Sequence, residues 1–224
     1  MGLSKLTLVQ PEDFPSGVAV GRAVGAVDIL DNARVVASLQ EAVEDCGLII
    51  GASARSRNIP WPMVTPEQCA HKTVTEAGVN KVALVFGRED SGLSNEELQL
   101  CHFHVQILAN PDYSSLNLAM AVQVICYELR MALLNSYESG KQSISPVLSP
   151  SDQGWDEPLA SVNDVEGFVE HLEKTLILTE FHDPKNPRQL MTRLRRLFQR
   201  AHLDKMEVNI LRGILTSIQK IARK

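Results

Sequence analysis

Three segments of the sequence place small or polar residues directly after a short apolar run. They are residues 51–55 (GASAR), 87–93 (GREDSGL) and 110–117 (NPDYSSLN). If the apolar runs are neighbouring parallel strands, the segments meet at the carboxyl edge of a sheet, where open α/β folds bind ligands. Gly87 and Gly92 allow a tight loop and a close backbone approach to a ligand. Each segment taken alone is also typical of an ordinary strand-to-helix turn.

The elements that must position these segments alternate between strands and helices. The run KVALVF at residues 81–86 is continuous and apolar, as in a parallel sheet covered on both faces. The pattern therefore predicts an α/β fold with a parallel sheet and right-handed crossovers. Further strands are predicted at 6–9, 33–36, 48–50 and 103–108, and helices at 17–25, 38–45, 65–77, from 95 onward and from Ser114 or Ser115 to about 134.

The C-terminal part of the chain has a different composition. Residues 137–160 are rich in Ser, Pro and Gly and read as a linker, and three amphipathic helices are predicted at 162–178, 188–202 and 207–223. We therefore expect a first domain at 1–136, the linker at 137–160 and a small helical extension at 161–224. In the middle helix Leu190, Leu194, Leu197 and Phe198 are expected to be core, opposite a basic face.

Bulk composition narrows the class of protein. A hydrophobic content of 44% over 224 residues predicts a folded chain. Four widely spaced cysteines predict reduced thiols and no metal site, and no apolar run of about 18 residues suggests a membrane span. The net charge of −5 is uneven, because residues 164–224 carry a balance of +4 and the rest of the chain carries −9. A basic C-terminal part is compatible with binding to nucleic-acid phosphates.

Two longer stretches resemble a known family. The second motif of SPOUT RNA 2′-O-methyltransferases resembles VFGREDSGLSNEEL, and the third resembles NPDYSSLNLAMAVQVICYELR. The TrmJ branch of that superfamily has a segment similar to GASARSRNIPWPM. The resemblance implies a trefoil-knotted parallel sheet and S-adenosyl-L-methionine (SAM) as cofactor. It also implies methylation of a ribose in the tRNA anticodon loop, at a cytidine or uridine in position 32. A cytoplasmic homodimer, paired through the long helix after Ser115 and with no DNA or membrane partner, is expected.

The resemblance carries residue roles onto this chain. Glu89, Ser115 and Asn117 are expected to be catalytic, beside the reacting ribose. Their alternatives stay open, because Glu89 could cap a turn, Ser115 could cap the long helix and Asn117 could bond local backbone. Residues expected to bind the cofactor are Ala52, Ser53, Ala54, Gly87, Ile107, Ser114, Ser115 and Leu116. Residues expected to contact RNA, or else to be solvated surface, are Arg55, Arg57, Arg88, Arg193, Arg196 and Arg200.

The resemblance to the family begins only after the first strand and the first helix that family members have. Family members start with a strand and a helix bearing an Ala-Arg-Ala stretch, whose arginine is thought to help activate the 2′-hydroxyl, and the resemblance here starts just after that helix. Arg22 lies in the next βα unit and is not given this role. We therefore expect little methyl transfer from these 224 residues alone, restored by an upstream strand and helix. The alternative function is a truncated or degenerate, catalytically impaired SAM- and RNA-binding module.

Overall fold

The computed structural model describes residues 1–53, 61–110, 112, 116–138 and 157–222. The chain forms two compact units, Met1–Glu44 and Asp45–Lys224. Most of the predicted linker lies outside the described residues, and the predicted C-terminal extension belongs to the second unit. The division of the chain into a domain, a linker and an extension stays a prediction.

The first unit is built around two parallel strands, β1 (Thr7–Val9) and β2 (Arg34–Val36). Their connection contains α1 (Gly17–Ala23), a 3₁₀ turn (Val24–Ala26) and α2 (Val27–Asp31), and α3 (Leu39–Val43) follows β2. The Ser38 hydroxyl caps α3 by accepting a hydrogen bond from the Glu41 N–H at 3.1 Å. The helix predicted at 17–25 ends early because Val24 has a positive φ of 48°.

The second unit contains a four-stranded parallel sheet in the order β4-β6-β3-β5. Its strands are β3 (Leu48–Ala52), β4 (Met63–Val64), β5 (Val82–Val85) and β6 (Phe103–Val105). In the central strand β3, Leu48, Ile49 and Ile50 are almost completely buried. The predicted α/β class with parallel sheets is confirmed, although β6 ends three residues earlier than the predicted strand at 103–108.

Three helices accompany this sheet: α4 (Pro66–Glu76), α5 (Asn95–Gln99) and α6 (Leu118–Glu138). Both α4 and α5 begin with a capping box, in which Thr65 or Ser94 exchanges hydrogen bonds with the residue three positions later. Helix α6 packs along α4, and its Ile125, Leu129 and Ala132 enter the core formed with β3.

Helix α6 is long and apolar enough to cross a membrane, by length and composition alone. Residues Leu118–Ser136 have a mean hydropathy of 1.3, and this is the one such helix in the part of the chain that the structure describes. The helix is not a continuous apolar run, because Gln123, Glu128 and Arg130 interrupt it. Because Ile125, Leu129 and Ala132 pack into the protein core, core packing explains part of the apolar composition.

The C-terminal helices are α7 (Val162–Leu178), α8 (Leu190–Ala201) and α9 (Lys205–Ala222). They share a core of their own, which contains Phe168, Val208 and Leu215. They also contact the sheet region, because the Val162 N–H donates to the Cys46 carbonyl at 3.3 Å and the His202 ring stacks on His102. Helices α7 and α8 therefore contact the sheet region directly, and α9 packs on α7.

Candidate functional site

The carboxyl ends of three adjacent strands bring the predicted loops to one edge of the sheet. In the register of the sheet, Gly51 pairs with Val85 and Ala52 pairs with Val105. The Ser53 N–H continues this pairing by donating to the Val105 carbonyl at 3.0 Å. The segments that follow β3, β5 and β6 therefore leave the sheet side by side, as the sequence predicted.

The loop after β5 is a tight hairpin closed by backbone hydrogen bonds. The Arg88 N–H donates to the Gly92 carbonyl at 3.2 Å, and the Gly92 N–H donates to the Arg88 carbonyl at 2.9 Å. Gly92 has a φ of 69°, which favours glycine. A Cβ on Gly87 would lie 2.1 Å from the Gly92 carbonyl carbon and 2.3 Å from the Leu93 nitrogen. Both glycines are thus required by the geometry of the loop, which we call the 87–92 loop.

The 87–92 loop presents the Glu89 carboxylate to the start of α6. Glu89 Oε1 accepts from the Asn117 Nδ2 amide at 3.1 Å, and Glu89 Oε2 accepts from the Leu118 N–H at 2.8 Å. The Asn117 Oδ1 atom accepts from the Ala119 N–H at 2.9 Å. A carboxylate in this place satisfies a free N–H and interacts favourably with the helix dipole. Two residues that are 28 positions apart therefore form one polar pair.

These contacts show which local hydrogen bonds Glu89 and Asn117 make, while their catalytic roles stay predictions. The prediction that Ser114 or Ser115 caps the long helix is wrong, because the helix begins at Leu118 and Asn117 is its N-cap. Asn117 does bond local backbone, and it also binds Glu89. Glu89 does act as a cap, but for a helix distant in sequence. Ala54, Ser114 and Ser115 lie outside the described residues.

Apolar side chains border the same strand ends. Ile107 and Ala52 pack against the core, while Leu108 is 80% exposed and Leu116 is 41% exposed. Exposed leucines beside backbone-rich loops suit a ligand with a flat apolar part and polar ends.

The predicted RNA-contacting arginines have different surroundings. Arg55 and Arg57 lie outside the described residues. The Arg88 guanidinium donates to both carboxylate oxygens of Glu97, at 3.1 and 3.2 Å. On α8, Arg193 donates to the Gln189 side chain at 3.4 Å, and Arg200 is exposed.

The predicted faces of α8 are partly corrected. Phe198 is core and meets Phe168 edge to face at 4.7 Å, but Leu197 is 45% exposed and is not core. Arg195, which the sequence groups with the other arginines of the basic face, binds the nearly buried Glu166 carboxylate with two hydrogen bonds of 2.8 and 2.9 Å. Sequence spacing gave no signal for this pair, because its partners lie on different helices.

Two histidines, His102 directly before β6 and His104 within it, are buried in the core. His102 Nδ1 accepts from the Ile49 N–H at 3.0 Å, and the His104 ring stacks on Trp61 with centroids 5.6 Å apart. Burial, together with the neighbouring His202, lowers the pKa of His102 to about 3. His102 is therefore neutral at physiological pH and serves packing.

Comparison with known proteins agrees with this architecture. The model of the SpoU rRNA Methylase family matches residues 1–127, and that of the tRNA methyltransferase TrmJ C-terminal domain matches residues 163–224. The tRNA (cytidine/uridine/adenosine-2′-O-)-methyltransferase TrmJ of Pseudomonas aeruginosa (strain UCBPP-PA14) is 52% identical over all of this chain and 86% of its own length. The tRNA (cytidine/uridine-2′-O-)-methyltransferase TrmJ of Escherichia coli (strain K12) is 52% identical over 98% of this chain and 86% of its own length.

Solved structures of methylases are also similar to this chain. The crystal structure of TrmJ from Z. mobilis ZM4 superposes with a TM-score of 0.79 at 30% identity, covering 97% of this chain and 88% of that one. A probable methylase family protein from Haemophilus influenzae Rd KW20 has a TM-score of 0.58 at 42% identity, covering 98% and 85%. None of these comparisons supports the alternative of a degenerate module. The chain belongs to the SpoU methylase family, and within it to the TrmJ group.

Proposed function

We propose that this protein transfers a methyl group from SAM to a ribose 2′-hydroxyl in the anticodon loop of tRNA, at a cytidine or uridine in position 32. The named activity of the TrmJ relatives supports the reaction class. The observation that carries the proposal is the polar pair of Glu89 and Asn117 at the carboxyl edge of the sheet. It lies where a parallel α/β sheet binds its ligand.

The residues at this edge fit SAM. Adenine needs apolar walls and backbone hydrogen-bonding groups, and the described Ala52, Ser53, Gly87, Ile107 and Leu116 supply them. Ala54, Ser114 and Ser115 complete the proposed set. When bound, SAM supplies a methyl group that is already activated by its sulfonium.

The protein's own residues must therefore orient the acceptor hydroxyl. The Glu89 carboxylate is fixed by Asn117 and by the Leu118 N–H, each of which binds one oxygen. Each oxygen keeps further acceptor capacity. We propose that one of them receives a hydrogen bond from the ribose hydroxyl and takes its proton as the O–CH₃ bond forms and the S–CH₃ bond breaks. Holding the hydroxyl in line with the S–CH₃ bond can lower the barrier substantially, because the reactants no longer lose orientational freedom in the transition state.

We also propose a homodimer that pairs through α6. The candidate face at this helix contains Leu116, Ala119, Met120 and Val122, and the structure leaves Met120 61% exposed. Tyr127 and Leu134 are also exposed and continue this face at seven-residue spacing. The proposal has three further parts. The chain path around residues 87–117 is knotted, and the protein is located in the cytoplasm, where tRNA is found. The arginines that contact tRNA are Arg55, Arg57, Arg193, Arg196 and Arg200.

The test is mapping of the transferred methyl group. The protein is expressed from its own gene with the surrounding coding sequence kept, and is incubated with labelled SAM and unmodified tRNA. We expect label in 2′-O-methylated cytidine or uridine at position 32, and no label when that nucleotide carries a 2′-deoxyribose. Label on a base, or binding of SAM and tRNA without transfer, would contradict the proposal.

A further inference from the structure

We infer that Arg88 and Glu97 form a positioning pair, which fixes the 87–92 loop to α5 and thereby sets Glu89 against the start of α6. The inference rests on the proposed function of Glu89. The pair has two parallel N–H···O bonds of 3.1 and 3.2 Å, a geometry that fixes orientation as well as distance.

The Glu97 carboxylate is itself held in place by α5. Its Oε2 accepts from the Ser94 N–H at 2.7 Å, while the Ser94 hydroxyl accepts from the Glu97 N–H at 3.2 Å. Burial raises the pKa of Glu97, but the hydrogen bonds from Arg88 and Ser94 outweigh it, and the net pKa is lowered. The hydrogen bonds to Glu97 raise the pKa of Arg88 above its ordinary value. Both partners are therefore charged at neutral pH.

Arg88 transmits this anchoring to Glu89 through the closed hairpin. Glu89 is the next residue, and only Asp90 and Ser91 separate it from Gly92, which bonds back to Arg88. Leu93, directly after the hairpin, is buried. A series of contacts thus runs from α5 through Glu97 and Arg88 to Glu89, and from there to Asn117 and the first N–H of α6. Because small misplacements of reacting groups are costly, this series matters for the transfer.

The competing role for Arg88 is the phosphate contact expected from the sequence. The Arg88 side chain is 60% exposed, so solvent reaches it. The two roles predict different effects of substituting its partner, Glu97. A phosphate contact is a property of Arg88 alone, whereas a positioning pair is lost equally from either side.

The experiment compares Arg88→Gln, Glu97→Gln, the double variant and Arg88→Lys. Glutamine at 97 still supports a capping box, so α5 is preserved. Arg22→Gln, at an exposed arginine in the first unit, is the control for the charge that Arg88→Gln removes. We expect each single variant to lower kcat about 10- to 100-fold. We expect the double variant to be no worse than either single variant, and Arg88→Lys to be impaired because lysine cannot form the paired bonds. The salt dependence of tRNA binding should not change.

A second measurement does not require activity. Hydrogen exchange at the Leu118 amide reports its bond to Glu89, and we expect faster exchange in Arg88→Gln and in Glu97→Gln but not in Arg22→Gln. If exchange follows this pattern while the parent protein transfers no methyl group, the proposed function fails and the pair stands. The inference is overturned if exchange is unchanged in both variants. It is equally overturned if Arg88→Gln alone weakens tRNA binding and lowers its salt slope.

Discussion

At the residue scale, the site depends on glycines that no other residue can replace. A methyl group on Gly87 would overlap the backbone of Gly92 and Leu93, at 2.1 and 2.3 Å. Backbone atoms in a hairpin cannot move aside as the end of a flexible side chain can. The loop that presents Glu89 would therefore have to open.

We accordingly expect Gly87→Ala to abolish the Glu89–Asn117 contact and to weaken SAM binding by at least about tenfold, as expected for a loss of about 1.4 kcal/mol. Isothermal titration with SAM measures this. Gly21→Ala is the matched control, because a Cβ at position 21 of α1 meets nothing within 4 Å. Alanine there should leave SAM affinity unchanged and favour the helix. Equal affinities for the two variants would show that the loop geometry is not needed.

At the element scale, two stacked histidines join the C-terminal helices to the sheet. His202 ends α8 in a left-handed conformation, and its ring lies 5.2 Å from that of His102. Burial lowers the pKa of both, to about 3 for His102, and Glu76 and Lys72 have opposing effects on the pKa of His202. Both rings are therefore neutral in the folded protein across the physiological range.

This pairing predicts a loss of stability in acid. The unfolded chain binds protons at these histidines below about pH 6.5, while the folded chain binds fewer because both pKa values are lowered, so the free energy of unfolding falls as pH falls below about 6.5. Each such histidine contributes a slope of up to about 1.4 kcal/mol per pH unit. Urea melts at pH 7.5 and 5.5 measure the effect. His202→Asn suits the left-handed backbone and removes one proton site, so it should reduce the pH dependence. An unchanged pH dependence in this variant would contradict the account.

Among the helices and strands, the features that depend on neighbouring residues could be predicted from the sequence. The helices predicted at 65–77 and from 95 onward are confirmed, because their start signals, Pro66 in the first turn and the spacing of Ser94 and Glu97, act within one turn. The two-residue strand β4 and the short helix α2 were missed, because neither is long enough to show a period. The pairs Arg88–Glu97 and His102–His202 join different elements, and only the fold brings them together. The start of α6 was misplaced because its cap is Asn117, supported by a glutamate 28 residues earlier.

At the scale of the whole molecule, the basic helix α8 is the part expected to bind tRNA. Its arginines do not all serve that purpose, since Arg195 is held by Glu166. Exposed Arg200 remains available to a phosphate group.

We expect Arg200→Gln to weaken tRNA binding and to lower the slope of log affinity against log salt by about 0.7 to 0.9, one phosphate contact, with no loss of stability. Arg195→Gln should instead destabilise the protein by about 3 kcal/mol, because it leaves the nearly buried Glu166 carboxylate without its partner. Filter binding at several salt concentrations and thermal melting separate the two effects. An unchanged salt slope in Arg200→Gln would remove this residue from the RNA surface.

The central claim is that Glu89, fixed by Asn117, orients the ribose for methyl transfer. The most direct measurement is the single-turnover rate of methyl transfer to tRNA by Glu89→Gln, with SAM and tRNA both saturating, compared with the parent protein. Glutamine has nearly the same shape but lacks the carboxylate charge and one of its acceptor oxygens. The account predicts a rate lower by about 10²- to 10⁴-fold, the range typical for loss of a positioned acid–base group. A rate within about twofold of the parent, a difference of only about 0.4 kcal/mol in the barrier, would contradict it.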